Sequence, residues 1–247
     1  MMDFNGKVAI VTGAGDGIGR ATAGGFAARG AAVALVDVKG APDVADAIAS
    51  KGGKAQAFAL DVRDAKGWSA LVAEVLEKFG GIHILVNNAG IAVPGDTVDE
   101  ASEDLWDSIM DINAKGVWLG MKAVLPTMIA NKRGKICNVA STAAHIGLKN
   151  AAAYCASKGA VLALTRQAGV QYAPLDIQIN SVSPGTTMTG IQKQITDEQR
   201  AAFLPLTPIG RFAQPDEVAA TILFLCSEGS SFVTGADLSV DGGMVAM

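Results

Sequence analysis

Residues 8–19 read VAIVTGAGDGIG, an apolar, β-branched run that passes directly into a glycine-rich turn. The segment after the turn has a helical pattern, so a strand precedes the glycines and a helix follows them. Because glycine has no Cβ, such a turn can bring backbone amides and a helix amino terminus against a pyrophosphate. We therefore predict a dinucleotide-binding site at Gly13, Gly15, Asp16, Gly17, Ile18 and Gly19.

The rest of the chain continues the alternation of strand and helix. The β-rich runs are 8–11, 32–36, 55–60, 82–86, 135–139, 177–182 and 236–240. Segments of helical period lie at 18–29, 42–51, 65–79, 103–130, 152–172 and 215–225. This alternation predicts a parallel sheet with right-handed crossovers and helices on both faces. We expect an α/β fold in which residues 1–247 form one doubly wound, seven-stranded Rossmann domain.

Composition and charge argue against several kinds of partner. The formal net charge is -4 and the pI is about 5.2, and no cluster of Lys or Arg indicates a nucleic-acid surface. The amino terminus carries Asp3 where a signal peptide is basic, its apolar run ends at Thr12, and no stretch is long enough to span a bilayer. We expect a cytoplasmic protein that binds neither nucleic acid nor a membrane.

The cysteines and histidines do not have the spacing of a metal site. Cys137, Cys155 and Cys226 share no CxxC spacing, and His83 and His145 do not form a ligand pair. We predict neither a disulfide nor a metal ion, and we interpret the cysteines as small apolar residues in a reducing compartment. Two interpretations of His145 remain open, since it either faces a substrate or is solvated in its loop.

An acidic residue ends the second predicted strand. Asp37 lies about 20 residues beyond the glycines, where a carboxylate can accept hydrogen bonds from both hydroxyls of an adenosine ribose. A carboxylate there would repel a 2′-phosphate, and Asp16 adds a second negative charge on that side, so NAD is favoured over NADP. Lys39 is the nearby cation that weakens this argument. The alternative is a carboxylate that only caps the next helix.

Polar residues also follow the third and fourth predicted strands. Because open α/β sheets bind ligands at the carboxyl ends of their strands, these residues belong on the same rim as the glycine turn. The carboxylate of Asp61 is expected to meet the adenine amino group, and Asn88 and Gly90 to border the adenosine. We expect Asn87 to join neighbouring strands instead. The predicted cofactor residues of these two segments are Asp61, Val62, Asn88, Ala89 and Gly90.

The segment 141–158 reads STAAHIGLKNAAAYCASK. Tyr154 and Lys158 are four residues apart on a predicted helix, so the ammonium and the positive helix end can both stabilise a phenolate. Lowering a tyrosine pKa from about 10 to about 7 requires about 4 kcal/mol. Ser141 follows the fifth strand, and Asn113 interrupts a helical stretch, where a polar residue often supports a kink and a bound water. For the Tyr–Lys pair alone, the alternative is an exposed Tyr beside a solvated Lys.

The segment after the sixth predicted strand reads PGTTMT over residues 184–189. Its hydroxyls and amides can hold a carboxamide, and the residues that we assign to the cofactor are Pro184, Gly185, Thr187 and Thr189. From 186 to 213 the chain is irregular or weakly helical. It carries the apolar residues Met188, Ile191, Ile195, Phe203 and Leu204. We predict a lid over a mostly apolar substrate, with an amphipathic surface helix that has no gating role as the alternative.

Together these motifs resemble the short-chain dehydrogenase/reductase family of NAD(P)-dependent oxidoreductases. The resemblance extends from Gly6 to Gly243, nearly the whole chain. TGAGDGIG is similar to the family's TGxxxGxG turn, NNAG is unaltered, and PGTTMT and the closing DGG are also similar. His83 departs from the pattern, since the family often has an acidic residue there. The catalytic tetrad of the family falls on Asn113, Ser141, Tyr154 and Lys158.

The resemblance implies a hydride transfer that interconverts a secondary alcohol and its ketone. In this interpretation Tyr154 exchanges the hydroxyl proton, Lys158 lowers the phenol pKa and holds the nicotinamide ribose, Ser141 orients the substrate, and Asn113 positions a water. Tyr154 and Lys158 thus also contact the cofactor. The resemblance further implies a homotetramer or homodimer. Because the predicted lid is apolar, we favour a hydrophobic or cyclic alcohol. A 3-oxoacyl-carrier-protein reductase, a sugar or polyol dehydrogenase, and a nucleotide-binding regulator without chemistry remain as alternatives.

Overall fold

The computed structural model describes residues 2–93, 96–190 and 203–247. Its strands are β1 Val8–Thr12, β2 Ala32–Asp37, β3 Lys54–Ala59, β4 Ile84–Asn87, β5 Gly134–Val139, β6 Ile177–Pro184 and β7 Asp237–Val240. They form one seven-stranded parallel sheet in the order β3-β2-β1-β4-β5-β6-β7. The doubly wound sheet expected from the sequence is therefore confirmed.

Helices cover both faces of this sheet. They are α1 Gly17–Ala27, α2 Ala41–Ala49, α3 Ala65–Phe79, α4 Glu103–Met110, α5 Gly116–Asn131, α6 Ala152–Tyr172 and α7 Pro215–Leu225. One core lies under α1, α2 and α7, and the other lies under α3, α5 and α6. Because both faces are covered, β1, β4, β5 and β6 are buried along their whole length. β1 is almost entirely apolar, whereas β5 and β6 also carry buried polar side chains. Within the described residues, no helix combines the length and the apolar character needed to cross a bilayer.

The predicted boundaries agree with the structure within two residues, except in the segment 103–130. There the expected single helix is divided into α4 and α5 by a π-helical turn, Asp111–Lys115. Asn113 lies in this turn, and its side chain bonds to the backbone of Ile91. A π-turn is often found at a functional site, because it inserts one residue and turns a side chain out of the helical register.

The strand order places the candidate site. The sequence order reverses at β1, which pairs with β2 on one side and with β4 on the other. Ligands of open α/β sheets bind beyond the carboxyl ends of the strands at such a reversal. The residues predicted to form the site lie at or just after the carboxyl ends of strands, namely the glycine turn, Asp37, Asn88, Ser141 and Pro184. They therefore share one rim of the sheet.

Candidate active site

The glycine turn connects β1 to α1 by a close backbone packing. Gly13 has a φ of +62°, which glycine adopts without strain. A Cβ on Gly13 would lie 2.8 Å from Asn88 Nδ2, and a Cβ on Gly19 would collide with the Gly13 carbonyl oxygen. The turn thus packs against itself and against Asn88 in a space that admits no side chain at these positions.

The first turn of α1 presents backbone amides to this rim. Its N-cap residue, Asp16, makes no side-chain hydrogen bond to them, and no acidic residue lies in the first turn. The amides of Gly17 and Ile18, together with the positive end of the helix, make an anion site. This donor set fits the diphosphate of a dinucleotide.

Asp37 is joined to the glycine turn. Its Oδ2 accepts the Gly15 N–H at 2.8 Å, and its Oδ1 accepts the Lys39 N–H at 3.0 Å. The Asp16 carboxylate, by contrast, lies next to Gly190, where a Cβ would collide with Oδ2. The argument for NAD from negative charge at the ribose therefore rests on Asp37.

Asp61 and Val62 follow β3. The Asp61 carboxylate accepts hydrogen bonds from Arg63 Nη2 at 2.6 Å and from Nε at 3.0 Å, and these bonds hold the Asp61 pKa below its usual value. Oδ1 also accepts the Arg63 backbone N–H at 3.0 Å, and Oδ2 also accepts from Nε at 3.1 Å, so Arg63 engages both oxygens of this carboxylate. The contact of Asp61 with an adenine amino group therefore stays a prediction. The Val62 carbonyl accepts the Trp68 indole N–H at 3.0 Å, which fixes the backbone beside Asp61.

Thr12 braces the turn against the segment after β4. Its hydroxyl accepts the N–H groups of Asn88 at 2.9 Å and Ala89 at 3.0 Å. Asn88 Nδ2 returns hydrogen bonds to the carbonyls of Thr12 at 2.9 Å and Gly13 at 3.1 Å. Asn88, expected to border the adenosine, therefore also supports the turn. The sequence interpretation gave Thr12 no role, although its position between the strand and the first glycine was a usable signal.

Asn87 joins neighbouring strands, as its position suggested. Its Nδ2 donates to Asn138 Oδ1 at 2.9 Å, which connects β4 to β5. Asn138 in turn donates to Thr165 Oγ1 in α6 at 2.9 Å. These buried amides hold the sheet and α6 together next to the rim.

Asn113 and Gly90 bring the loop after β4 against α6. Asn113 is fully buried, and its Nδ2 donates to the Ile91 carbonyl at 2.9 Å and to Ser157 Oγ at 3.1 Å. A Cβ on Gly90 would lie 3.2 Å from Asn113 Oδ1 and 3.5 Å from Lys158 Nζ. Gly90 thus lies where Asn113 and Lys158 meet.

Ser141, Tyr154 and Lys158 lie where the end of β5 meets the first turns of α6. Ser141 Oγ accepts the Ala143 N–H at 3.2 Å and interacts with the Tyr154 hydroxyl. Lys158 Nζ donates to the Val139 carbonyl at 2.8 Å and lies 5.8 Å from the centre of the Tyr154 ring. The structure therefore brings together the four residues that the sequence proposes as a tetrad.

The electrostatics of this group differ from the sequence expectation. Burial raises the pKa of Tyr154, and the Ser141 hydroxyl only partly offsets that rise. Burial also lowers the pKa of Lys158 to about 8. The sequence predicts that Lys158 lowers the phenol pKa, but the ammonium is held at the Val139 carbonyl over the ring. In this arrangement burial favours the uncharged form of both groups.

The loop after β6 approaches the glycine turn. Gly185 donates to the Val240 carbonyl at 3.1 Å, and the Thr187 hydroxyl donates to the Gly185 carbonyl at 3.1 Å. A Cβ on Gly17 would lie 2.9 Å from Thr189 Cγ2, so Thr189 contacts the start of α1. Pro184, which ends β6, and the three residues assigned with it therefore lie on the cofactor rim.

The two ends of the predicted lid are joined. The Met188 N–H donates to the Ala213 carbonyl at 2.9 Å, and the Ala213 N–H donates to the Thr186 carbonyl at 3.0 Å. Phe203 and Leu204 are partly exposed, by 37% and 39%. Ile191 and Ile195, which were assigned to the lid, lie outside the described residues.

Asp96 is a site residue that the sequence did not indicate. It is 1% exposed, and its Oδ2 accepts the Ala153 N–H at 2.6 Å while its carbonyl accepts the Ala152 N–H at 3.1 Å. Asp96 thus caps α6, whose own N-cap residue, Ala151, has no side-chain acceptor. Tyr154 follows directly after these amides. No local pattern identifies a cap that is 57 residues from its helix.

The histidines and cysteines occupy different environments. His145 Nε2 lies 2.8 Å from Asp237 Oδ2, so this side chain is paired with a carboxylate of the sheet. Cys137 and Cys226 are buried, and Cys155 is half-buried. Over residues 2–93, 96–190 and 203–247, no group of three His, Cys, Asp or Glu side chains could hold a metal ion.

Comparison with known proteins gives concordant matches over nearly the whole chain. A family model described as "Enoyl-(Acyl carrier protein) reductase" matches residues 13–245. A 2-(S)-hydroxypropyl-CoM dehydrogenase from Xanthobacter autotrophicus is 41% identical over 249 residues, with 98% of this chain and 97% of the relative covered. A cis-4-hydroxycyclohexanecarboxylate dehydrogenase from Sinomonas cyclohexanicum is 42% identical over 245 residues, covering 99% and 98%. The crystal structure of a levodione reductase superposes with a TM-score of 0.94 at 32% identity, covering 98% and 99%.

Proposed function

Because the chain belongs to the short-chain dehydrogenase/reductase family and is an oxidoreductase of CH–OH groups, we propose that it interconverts a hydrophobic or cyclic secondary alcohol and its ketone with NAD. The observation that carries this proposal is the convergence of Ser141, Tyr154 and Lys158 beside the glycine turn. A proton acceptor and a cofactor cradle on one rim are what a dehydrogenase requires.

Members of the family use NAD or NADP, and the residues of this chain fit such a dinucleotide. The space at Gly13 and Gly19 admits no Cβ, and the Asp16 side chain leaves the amides at the start of α1 uncapped, so that they can bind a diphosphate. Asp37 would hold the adenosine ribose and disfavour a 2′-phosphate, which supports NAD. When bound, the nicotinamide supplies the hydride acceptor for the alcohol carbon.

The proton of the alcohol is handled by the chain itself. As the phenolate, Tyr154 takes this proton from the hydroxyl during oxidation, and as the phenol it returns the proton during reduction. Ser141 donates to the alcohol oxygen and orients it. Lys158 holds the nicotinamide ribose, and a positive charge at this position opposes the burial that raises the phenol pKa in the protein without cofactor. Asn113 holds the π-turn against the loop after β4 and supports a water that exchanges the proton with solvent.

The substrate class rests on the apolar residues of the predicted lid. A hydrogen bond joins Thr186 to Ala213. The part of the segment that precedes Ala213 carries the exposed apolar residues Phe203, Leu204 and Ile209. We assign residues 186–213 as a lid that excludes water from the alcohol. The relative that acts on cis-4-hydroxycyclohexanecarboxylate supports a cyclic alcohol.

Replacement of Tyr154 tests the proposed chemistry. We expect Tyr154→Phe to bind NADH as the wild type does but to lose a factor of about 100 or more in turnover, the usual contribution of a general acid–base. Oxidation would be followed by NADH absorbance with cyclohexanol, glycerol and a linear secondary alcohol. Reduction would be followed with cyclohexanone and acetoacetyl-CoA. Binding of NADH would be measured by fluorescence titration.

A matched control comes from the second tyrosine of the chain. Tyr172, at the end of α6, lies outside the site, and Tyr172→Phe should keep wild-type turnover. Turnover above about a tenth of wild type in Tyr154→Phe would exclude the assigned base. A preference for acetoacetyl-CoA would favour the oxoacyl reductase, and a preference for glycerol the polyol enzyme.

Other expectations extend this proposal to the whole protein. We assign one catalytic and cofactor-binding domain to residues 1–247, acting in the cytoplasm as a homotetramer or homodimer. Exposed aromatic side chains support an oligomer, among them Trp106 at 41%, Trp118 at 44% and Phe232. No nucleic acid or membrane takes part in the proposed reaction.

A further inference from the structure

His145 ends a stiff turn that begins at Ser141. The Ala144 N–H donates to the Ser141 carbonyl at 3.0 Å, and the His145 N–H donates to the Thr142 carbonyl at 2.9 Å. Ser141 Oγ also accepts the Ala143 N–H at 3.2 Å. These bonds close a 3₁₀ turn, so a displacement of His145 is transmitted to Ser141.

The imidazole of His145 fixes this turn to the sheet. Its Nε2 lies 2.8 Å from Asp237 Oδ2 in β7 and 3.2 Å from Ser183 Oγ in β6. Asp237 is 9% exposed through its side chain, and its Oδ1 accepts a second hydrogen bond from Ser181 Oγ at 2.6 Å. Because an ionised carboxylate only accepts hydrogen bonds, Nε2 carries the proton in this contact.

The contact lies between two segments that border the candidate site. Ser141 is at the end of β5, and Ser183 directly precedes Pro184 at the end of β6. The His145–Asp237 pair therefore crosses from the serine turn to the strands that carry the loop assigned to the cofactor. Its donor and acceptor are held by different elements, so neither segment can shift alone without loss of this hydrogen bond.

We propose that His145 is a positioning residue for the reaction, which fixes the place of Ser141 relative to Tyr154 through its bond to Asp237. The inference rests on the proposed function, in which Ser141 orients the alcohol. A displacement of about 1 Å in such a group can cost about a hundred-fold in rate. Thr12 and Asn88 hold the glycine turn, and the bond from the Gly185 N–H to the Val240 carbonyl holds the cofactor loop after β6 without His145, so we expect cofactor affinity to be independent of His145.

Kinetics of four variants distinguish positioning from simple stabilisation. We expect His145→Ala and Asp237→Ala to lower kcat/KM for the alcohol about ten-fold or more at unchanged affinity for NADH. His145→Gln restores most of the loss, because the Gln amide N–H takes the place of Nε2–H. The double variant His145→Ala/Asp237→Ala loses no more than Asp237→Ala alone, because Asp237→Ala already removes the contact with His145 together with the bond from Ser181.

The other histidine provides a control and an independent measurement. His83 lies at the opposite end of the sheet, where its Nδ1 accepts the Val8 N–H at 3.0 Å, so His83→Asn should keep wild-type kinetics. In that variant the only imidazole left is His145. Nitrogen-15 NMR of the neutral ring should then show a protonated Nε2 and an unprotonated Nδ1, and this tautomer preference should be lost with Asp237→Ala.

The outcomes separate this inference from the proposed function. If the wild type oxidises alcohols and His145→Ala keeps more than about half of its kcat/KM, the positioning role is overturned while the proposed function stands. A lower melting temperature with unchanged kinetics also overturns the positioning role, since it shows a structural contact alone. If the wild type acts on no alcohol or ketone of the panel, the proposed function fails and the positioning role fails with it.

Discussion

Tyr154 and Lys158 are both buried at the cost of their charged forms. Lys158 has a pKa of about 8 in the folded protein against 10.5 for an unperturbed lysine. The unfolded chain therefore binds more protons between these values, and the cost of burying the ammonium is fully present below about pH 8 and is relieved as the pH rises toward 10.5. The burial of Lys158 thus lowers the free energy of unfolding below about pH 8 and brings the pKa of its ammonium closer to neutral pH.

Asp37 determines the cofactor preference at the scale of one side chain. We expect wild type to favour NADH over NADPH, and Asp37→Asn to reduce that preference about ten-fold, equivalent to about 1.4 kcal/mol, because the amide no longer repels a 2′-phosphate. The ratio of kcat/KM for the two cofactors is the measurement. Asp43→Asn, in the first turn of α2, is the control. A wild type that prefers NADPH would contradict the argument.

Single residues were predictable from sequence where their role depends on spacing along one element. Tyr154 and Lys158 follow from helical periodicity, and Asp37 from the end of a strand. The Val139 carbonyl that holds Lys158 and the Asp237 carboxylate that holds His145 do not, since they come from elements distant in the chain. The direction of the Tyr154 pKa shift was missed for the same reason, because burial is set by tertiary packing.

The amino terminus of α6 is held by a residue outside the helix. Asp96 accepts the Ala153 N–H through its carboxylate and the Ala152 N–H through its carbonyl. A carboxylate at this end is favoured by the helix dipole and satisfies an amide that would otherwise be buried without a partner. Because Tyr154 is the next residue, the cap also fixes the position of the phenol.

Loss of this cap is expected to affect both stability and turnover. We predict that Asp96→Ala lowers the free energy of unfolding by about 1–2 kcal/mol, as for other N-caps, and lowers kcat in the folded enzyme. Asp96→Asn keeps an oxygen acceptor and should lie between Ala and wild type. Urea denaturation and steady-state kinetics are the measurements, with exposed Asp99→Ala as the control. Wild-type values in Asp96→Ala would show that the cap contributes nothing.

Helices and strands were predictable where one sequence signal governs them. Helix α3 begins at the Asp64 cap, ends at Gly80 and matches its predicted range. The π-turn was not predicted, because the Asn113 side chain within it bonds to Ile91 and Ser157, which are distant from it in the sequence. Asn113 was nevertheless recognised as out of place in a helix, so the sequence indicated the site of the irregularity but not its form.

At the scale of the whole molecule, apolar surface remains outside the two cores. Trp106 on α4 and Trp118 on α5 are 41% and 44% exposed, and Phe232, between α7 and β7, is fully exposed. These side chains lie in two separate stretches of the chain. Two self-complementary interfaces generate a closed tetramer, whereas one generates a dimer. The surface therefore supports the homotetramer of our proposal.

A charged residue in place of Trp118 should disrupt one of the two interfaces of the proposed tetramer. We expect wild type to have four times the 25.1 kDa mass of the chain by light scattering, and Trp118→Glu to give dimers, because a carboxylate would replace the apolar ring and would lose its hydration in the interface. Lys54→Glu, on the edge strand β3, should leave the mass unchanged. A monomeric wild type would exclude the tetramer, and a tetrameric Trp118→Glu would place the interface elsewhere. If the dimer keeps turnover, each protomer holds a complete site, as the convergence of all four tetrad residues within one chain predicts.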